Sequence, residues 1–161
     1  MENSPPIVRV IYDCNVFLQG LIAEPSPGFG CLQLVANDTV QMYISREIHD
    51  EVRSVLLRPK LQDKFPRLTY ERVASLFRMI EEKATLIDAV PTHFRYERDI
   101  KDEPYLNLAI AANANYIVSR DNDLLDLMKE NLPPGKEFRS RYPTISILDP
   151  VEYLRQFEMG N

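Results

Sequence analysis

The sequence has few cysteines and no long apolar run, and both absences narrow its class. Two cysteines in 161 residues cannot build a disulfide framework, which excludes a disulfide-stapled secreted domain. No stretch approaches the roughly 18 uncharged apolar residues of a membrane-spanning helix. Residues 1–6 lack the basic and apolar regions of a signal peptide. We therefore expect a cytoplasmic protein with reduced thiols and no membrane partner.

Basic residues are also in the minority, since 19 Lys and Arg face 24 Asp and Glu and give a net charge of −5. Nucleic-acid-binding domains usually carry a basic surplus, so the total charge does not indicate one. Residues 46–83 nevertheless hold nine basic and seven acidic side chains, which leaves −7 for the remainder. Acids gathered elsewhere in the chain could hold a cation, although a solvated acidic face would give the same balance.

Apolar runs of three to six residues alternate with helical patterns along the chain. This alternation predicts a three-layer α/β/α sandwich with a central, mainly parallel sheet of four to five strands. The length and the 45% hydrophobic content indicate a single domain over residues 1–161. The predicted strands are Ile7–Tyr12, Val40–Ile44, Thr85–Ile87, Tyr116–Val118 and Ile145–Leu148.

Apolar spacing and capping residues locate the predicted helices. Ser45 is the expected N-cap of one helix and Asp149 that of the last, and Pro104 fits a first helical turn. A turn is expected at Asn113–Asn115. Residues 16–27 are predicted to lead through a turn at Pro25–Gly28 into the first helix, and residues 132–143 are predicted to form a loop. The helices are predicted over 29–37, 46–57, 69–83, 103–112, 124–131 and 150–157.

Four acids occupy comparable places in this pattern. Asp13 follows the first strand, Glu51 lies on the helix after the second, Asp102 begins a helix, and Asp121 follows the fourth strand. Ligands of open α/β sheets bind outside the carboxyl ends of the strands, where these acids could converge. Like charges held close raise one another's pKa, and a divalent cation with oxygen ligands, Mg²⁺ or Mn²⁺, would relieve that. Taken singly, each acid fits a cap or a surface charge, and Asp13 in particular fits a cap.

Together these motifs resemble the PIN-domain ribonuclease family, in particular its bacterial toxin components of toxin–antitoxin pairs. The resemblance covers nearly the whole chain, and no single motif in it is specific. The motifs are Val10–Val16, Ser45–Glu51 with Arg58–Lys60, Asp99–Leu106 with Ala109 and Ala112, and Tyr116–Leu125.

The resemblance implies roles for individual residues. Asp13, Glu51, Asp102 and Asp121 would be the catalytic acids, and Asp123 would join Asp13, Asp102 and Asp121 around the metal. Asn15 and Ser119 fall on polar positions that the family uses to orient carboxylates or water. Asp99 falls just outside the pattern and is interpreted as a surface or cap residue.

The resemblance also implies an activity and partners. The expected reaction is Mg²⁺- or Mn²⁺-dependent hydrolysis of single-stranded RNA, leaving a 5′-phosphate and a 3′-hydroxyl. An antitoxin protein and a second copy of the chain are the expected protein partners. RNA that approaches an acidic site needs positive charge at its rim, for which Arg58 and Lys60 are candidates. Arg139 and Arg141 are candidate RNA contacts in a loop that interleaves basic and aromatic side chains, as single-strand grooves do. A solvated helix face and an ordinary loop explain these residues equally well.

Two other functions remain alternatives. The first is a PIN-like module that binds RNA or protein with little or no catalysis. The second is a receiver-type domain phosphorylated on Asp88, which would need two adjacent acids after strand one and a lysine after strand five. The sequence has Asp13 alone at the first place and Asp149 at the second. A haloacid-dehalogenase-like phosphatase fails because Asn15 stands where its second acid is required.

Overall fold

A computed structural model describes residues 6–129 and 131–158 and contains one five-stranded sheet in that part of the chain. The strands are β1 (Val8–Tyr12), β2 (Val40–Ser45), β3 (Thr85–Ile87), β4 (Tyr116–Val118) and β5 (Ser146–Leu148). Every strand pair is parallel, and the strand order is β3-β2-β1-β4-β5. The predicted parallel α/β sheet is therefore confirmed, with five strands.

Helices cover both faces of this sheet. The helices in the described ranges are α1 (Cys14–Ile22), α2 (Pro27–Ala36), α3 (Arg46–Leu56), α4 (Pro59–Lys64), α5 (Tyr70–Lys83), α6 (Glu103–Ala112), α7 (Asn122–Leu125), α8 (Pro133–Arg141) and α9 (Pro150–Glu158). The helices α3 and α6 contact each other and β2, whereas α2 and α9 form a second pair that contacts β2, β4 and β5. The resulting three layers are those of a PIN-like sandwich.

The central strand β1 lies in the middle of the core. Val10, Ile11 and Tyr12 are almost fully buried, as the β-branched run predicts for a strand covered on both faces. The Tyr12 hydroxyl donates to the Cys31 carbonyl oxygen at 2.8 Å and lies 2.9 Å from the Tyr153 hydroxyl on α9. These bonds tie α2 and α9 to the strand that carries Asp13.

The predicted helix boundaries hold where a cap defines them. Ser45 accepts a hydrogen bond from Ile48 N at 3.0 Å, and Asp149 accepts one from Glu152 N at 2.9 Å. Asn113 ends α6 in the left-handed region with a φ of 53°. None of the helices in the described ranges is long and apolar enough to cross a bilayer.

Four segments differ from the sequence prediction. The expected connection over 132–143 contains α8, because its prolines suit a first helical turn and Phe138 is buried against Phe94 at 5.3 Å between ring centroids. The segment over 16–27, expected to lead into the first helix, holds most of α1 and the first residue of α2. The single helix expected over 124–131 is instead α7 followed by a 3₁₀ turn, Asp126–Met128. Residues 59–64 form the unpredicted helix α4.

Candidate functional site

The site is built where strand order reverses, between β1 and β4. Tyr12 pairs with Val118 across these strands, and Asp13 N donates to the Val118 carbonyl oxygen at 3.0 Å. The residues that follow this pair, Asp13 after β1 and Ser119 after β4, are therefore neighbours across the two strand ends. A crevice at the carboxyl ends of strands, at the point of reversal, is where open α/β sheets bind ligands.

Ser119 holds both acids that follow these strands. Its buried hydroxyl donates to Asp13 Oδ2 at 2.6 Å and accepts from Asp121 N at 2.9 Å. Asp13 occupies the N-cap position of α1, yet its side chain makes no capping hydrogen bond there. The carboxylate of Asp13 therefore serves the crevice and not the helix end.

Four other carboxylates converge in the same crevice. One oxygen from each of them lies within 4.8 Å of the other three, and these residues, here called the aspartate cluster, are Asp99, Asp102, Asp121 and Asp123. Asp102 ends a 3₁₀ turn, Ile100–Asp102, directly before α6. Asp121 Oδ1 accepts from Asp123 N at 2.9 Å, which fixes these two acids relative to each other.

Asp99 belongs to the cluster although the sequence pattern set it aside. Its side chain accepts a hydrogen bond from Lys101 N at 3.0 Å, so Asp99 is a cap residue, as one of its two interpretations predicted. Its carboxylate also contributes an oxygen to the cluster. The Asp-x-x-Asp spacing of Asp99 and Asp102 was the available signal, because residues three apart on a helical turn lie on one side.

The residues present fit a divalent cation. Asp102 is 5% exposed, and its Oδ2 has no hydrogen-bond partner within the described ranges. A buried carboxylate oxygen without a partner is costly, and a metal ion would supply the missing interaction. The cluster offers oxygen atoms alone, which suits Mg²⁺ or Mn²⁺ better than zinc or copper.

The pKa values of the buried acids also indicate that the crevice requires a cation. Burial and then the neighbouring carboxylates of Asp121, Asp99, Asp13 and Asp123, in that order of importance, together raise the pKa of Asp102 to about 8. Burial also raises the pKa of Asp13, whereas the Ser119 hydrogen bond opposes the rise. Positive charge at this point would favour the ionised form of every one of these acids.

Glu51 lies beside Asp13 but is not a member of the aspartate cluster. It is exposed on α3, and its pKa is raised by partial burial and then by the charge of Asp13. Lys101 and Arg58 lie close enough to lower that pKa. The four predicted catalytic acids therefore share one crevice, with Glu51 at its exposed margin.

The two residues predicted to orient polar groups are placed differently. Ser119 is fully buried and holds two acids, as described above. Asn15 is exposed in the first turn of α1, and its side chain makes no hydrogen bond with the part of the chain that the structure describes. Its role as an orienting residue stays a prediction.

Sequence reasoning missed two side chains at the site. Arg98 Nε donates to Asp123 Oδ1 and Arg98 Nη2 donates to Asp126 Oδ2, each at 2.9 Å, so a cation already borders the cluster. Tyr105 is buried with a hydroxyl that lies near Asp13 and the Cys14 backbone without a well-formed hydrogen bond, and burial and then the charge of Asp13 raise its pKa. Tyr105 follows Asp102 by three positions, which was its only signal in the sequence.

The candidate RNA contacts stay predictions, and the structure shows what surrounds them. Arg58 lies near Glu51, and Lys60 is exposed on α4. Arg139 donates to the Leu127 carbonyl oxygen. Arg141 bonds to Glu137 and to the His93 carbonyl oxygen, while Phe138, directly before Arg139, is fully buried and cannot stack on a base in this conformation.

The strand order contradicts the receiver-type alternative. Receiver domains have the order 2-1-3-4-5, which places the acid after strand three beside the one after strand one. Here β3 is an edge strand separated from β1 by β2. Asp88 after β3 is exposed and pairs with Arg46 at 2.8 Å, so it cannot share a metal site with Asp13.

Known proteins resemble this chain over the region that contains the site. The family described as PIN domain matches residues 9–123, a range that includes Asp13, Glu51 and the whole aspartate cluster. An uncharacterized protein from Methanocaldococcus jannaschii is 26% identical over 159 residues, which cover 98% of this chain and 97% of that relative.

Proposed function

This chain belongs to the PIN-domain family, a family of nucleases, and we propose that it is a metal-dependent endoribonuclease acting on single-stranded RNA. The observation that carries the metal dependence is Asp102 Oδ2, a buried carboxylate oxygen without a partner inside a group of four converging acids. The choice of RNA rests on the family resemblance. The proposed ion is Mg²⁺ or Mn²⁺.

The acids of the crevice divide into metal-holding, surrounding and proton-exchanging side chains in this proposal. Asp102 and Asp121 would hold the cation, with Asp13, Asp99 and Asp123 as the acids around them. A bound divalent cation would lower the pKa of a water molecule and stabilise charge on the leaving oxygen. Ser119 keeps the Asp13 carboxylate aimed into the crevice. Glu51, exposed at the margin and with a raised pKa, is the side chain best placed to exchange a proton with solvent.

The test is cleavage of a labelled single-stranded RNA with and without Mn²⁺. Asp13→Asn and Asp121→Asn should abolish Mn²⁺-dependent cleavage while circular dichroism shows that the variants stay folded. Asp63→Asn is the matched control, because Asp63 is exposed on α4 and removing its charge should leave cleavage intact. Products should end in a 5′-phosphate and a 3′-hydroxyl.

Two results would contradict the nuclease proposal. One is equal cleavage by Asp13→Asn and the parent after repeated purification, which would trace the activity to a contaminant. The other is RNA binding by the parent with no cleavage at any Mn²⁺ concentration. That second result would favour the alternative of a binding module without catalysis.

A toxin role is a further part of the proposal, and it rests on the family resemblance alone. Expression of the parent in a bacterial cytoplasm should arrest growth, and Asp121→Asn should relieve the arrest. An antitoxin would copurify with the parent and suppress RNA cleavage. Light scattering on the purified chain tests the expected homodimer.

A further inference from the structure

A cleft of about 360 Å³ opens at the same edge of the sheet as the acids. It lies between α1, α7 and the start of α9 and is separate from the aspartate cluster. Its size is sufficient for a small polar ligand. The side chains that matter below are Gln19, Arg120, Asn122, Leu125, Asp149 and Val151.

The cleft adjoins the candidate catalytic site through the chain itself. Arg120 and Asn122 flank Asp121 on the loop after β4. Gln19 follows Asp13 by six residues, and at about 1.5 Å per residue this places it about 9 Å further along the axis of α1. A polymer held at Asp13 and Asp121 would therefore reach the cleft with an adjacent unit.

Gln19 presents hydrogen-bond donors to this cleft. Its Oε1 accepts from Gly28 N at 2.8 Å, which uses the amide oxygen and leaves the Nε2 hydrogens available. A Cβ at Gly28 would come within 2.8 Å of Gln19 Cβ, so α1 and α2 are in close contact here. The contact and the bond hold Gln19 in one position, and a fixed donor selects for an acceptor such as a carbonyl oxygen.

Arg120 brings positive charge to the same place. It is exposed, and no acid of the described ranges pairs with it. Asn122 is likewise exposed and can donate and accept. Arginine binds phosphate oxygens bidentately and also stacks on bases, which are the two contacts that a single-stranded nucleotide requires.

The remaining lining is apolar apart from Asp149, whose Oδ1 caps α9 by accepting from Glu152 N at 2.9 Å. The half-buried Leu125 and the 46% exposed Val151 offer a surface for the flat face of a base. We propose that this cleft is a nucleotide subsite that binds the RNA unit next to the scissile phosphodiester. Arg120 contacts the phosphate, and Gln19 donates to a base carbonyl. The inference rests on the proposed nuclease function for its substrate class, but the binding can be measured without cleavage.

The binding test uses uridine 5′-monophosphate as the probe and the side-chain amide signals of ¹⁵N-labelled protein as the readout. The amide signals of Gln19 and Asn122 should shift on titration, and Arg120→Gln should weaken the apparent affinity about tenfold. Arg78→Gln is the matched control, because Arg78 is equally exposed on α5 away from this cleft. Gln19→Glu keeps an acceptor for Gly28 N but removes the donors, and it should also weaken binding.

The cleavage test separates this proposal from the nuclease proposal. Arg120→Gln should raise the KM for single-stranded RNA about tenfold and change kcat less than twofold, because phosphate contacts away from the reaction contribute to binding. If the parent cleaves RNA and Arg120→Gln matches Arg78→Gln in both tests, the subsite is overturned and the nuclease stands. A different outcome is that the parent does not cleave RNA, but the nucleotide still shifts the Gln19 amide signal and Arg120→Gln weakens this binding. In that case nucleotide binding at the cleft stands and the nuclease proposal fails.

Discussion

At the scale of single residues, hydrogen-bond partners distinguish Asp13 from Asp102. Both are buried at the carboxyl edge of the sheet, but Asp13 accepts the Ser119 hydroxyl, whereas Asp102 Oδ2 has no partner in the described part of the chain. A hydrogen bond to the charged form stabilises that form, so Asp13 tolerates ionisation better. Asp102 is therefore the acid whose charge most needs a cation.

Removing the charge of Asp102 should have opposite effects on the metal-free and metal-bound protein. At pH 8 without metal, Asp102→Asn should raise the free energy of unfolding by about 1–3 kcal/mol, because no buried charge is then left unpaired. The variant should lose the extra stability that Mn²⁺ gives the parent. Urea unfolding with and without Mn²⁺ measures both effects, and a variant less stable than the parent without metal contradicts the assignment.

Two buried tyrosines allow a matched comparison. Tyr105→Phe should change the stability by less than about 1 kcal/mol, because its buried hydroxyl lies near Asp13 and the Cys14 backbone without a well-formed hydrogen bond. Tyr12→Phe should cost about 1–2 kcal/mol, because that hydroxyl bonds to Cys31 and Tyr153. Thermal unfolding of the two metal-free variants measures both changes. Equal losses of stability would show that the Tyr105 hydroxyl forms a hydrogen bond as strong as those of Tyr12.

At the scale of elements, α6 fixes the irregular segment that precedes it. Asn107 is buried on α6, and its Oδ1 accepts from His93 N at 2.7 Å and Phe94 N at 2.8 Å. Its Nδ2 donates to the carbonyl oxygens of Phe94 and Glu103. One amide thus satisfies four backbone groups, in a segment that leads to Asp99 and Asp102.

Replacing this amide should loosen the segment and the cluster together. Asn107→Ala should lower the free energy of unfolding by about 2–4 kcal/mol, because several backbone groups lose their partners. It should also weaken Mn²⁺ binding in calorimetry. Asn131→Ala is the control, since Asn131 is exposed and its replacement should change neither quantity. A loss of stability below 1 kcal/mol would contradict the bracing role.

At the scale of the whole molecule, the converging acids link stability to pH and to metal. The pKa of Asp102 is near 8 in the folded chain and 3.8 in the reference state, so the unfolded chain releases this proton first as pH rises. The metal-free protein should therefore lose stability as pH rises from about 4 to about 8. Below that range Asp102 is protonated in both the folded and the unfolded chain, and above it Asp102 is ionised in both.

Saturating Mn²⁺ should reverse this trend. A ligand that binds only the folded state at about 100 times its dissociation constant adds about 2.7 kcal/mol, and ionised acids bind it better than protonated ones. The increase in Tm on adding Mn²⁺ should thus be larger at pH 8 than at pH 5. Thermal unfolding across this range measures it, and an increase that is independent of pH would contradict a carboxylate site.

Local patterns in the chain were sufficient to predict the parallel α/β class, the strand positions and the caps at Ser45 and Asp149. These features depend on local composition and periodicity, which are readable over a few residues. The sequence also named three of the four acids of the aspartate cluster, Asp102, Asp121 and Asp123, since strand ends and helix starts of a parallel sheet share one edge. Their catalytic roles remain predictions.

Tertiary structure alone decided the contacts between segments distant in the chain. Helix α8 exists because Phe138 is buried against Phe94, although its local composition resembles a loop. Ser119 reaches Asp13 only because β4 pairs with β1 and not with β3. Long-range pairing and burial set these contacts, and no short stretch of sequence carries that information.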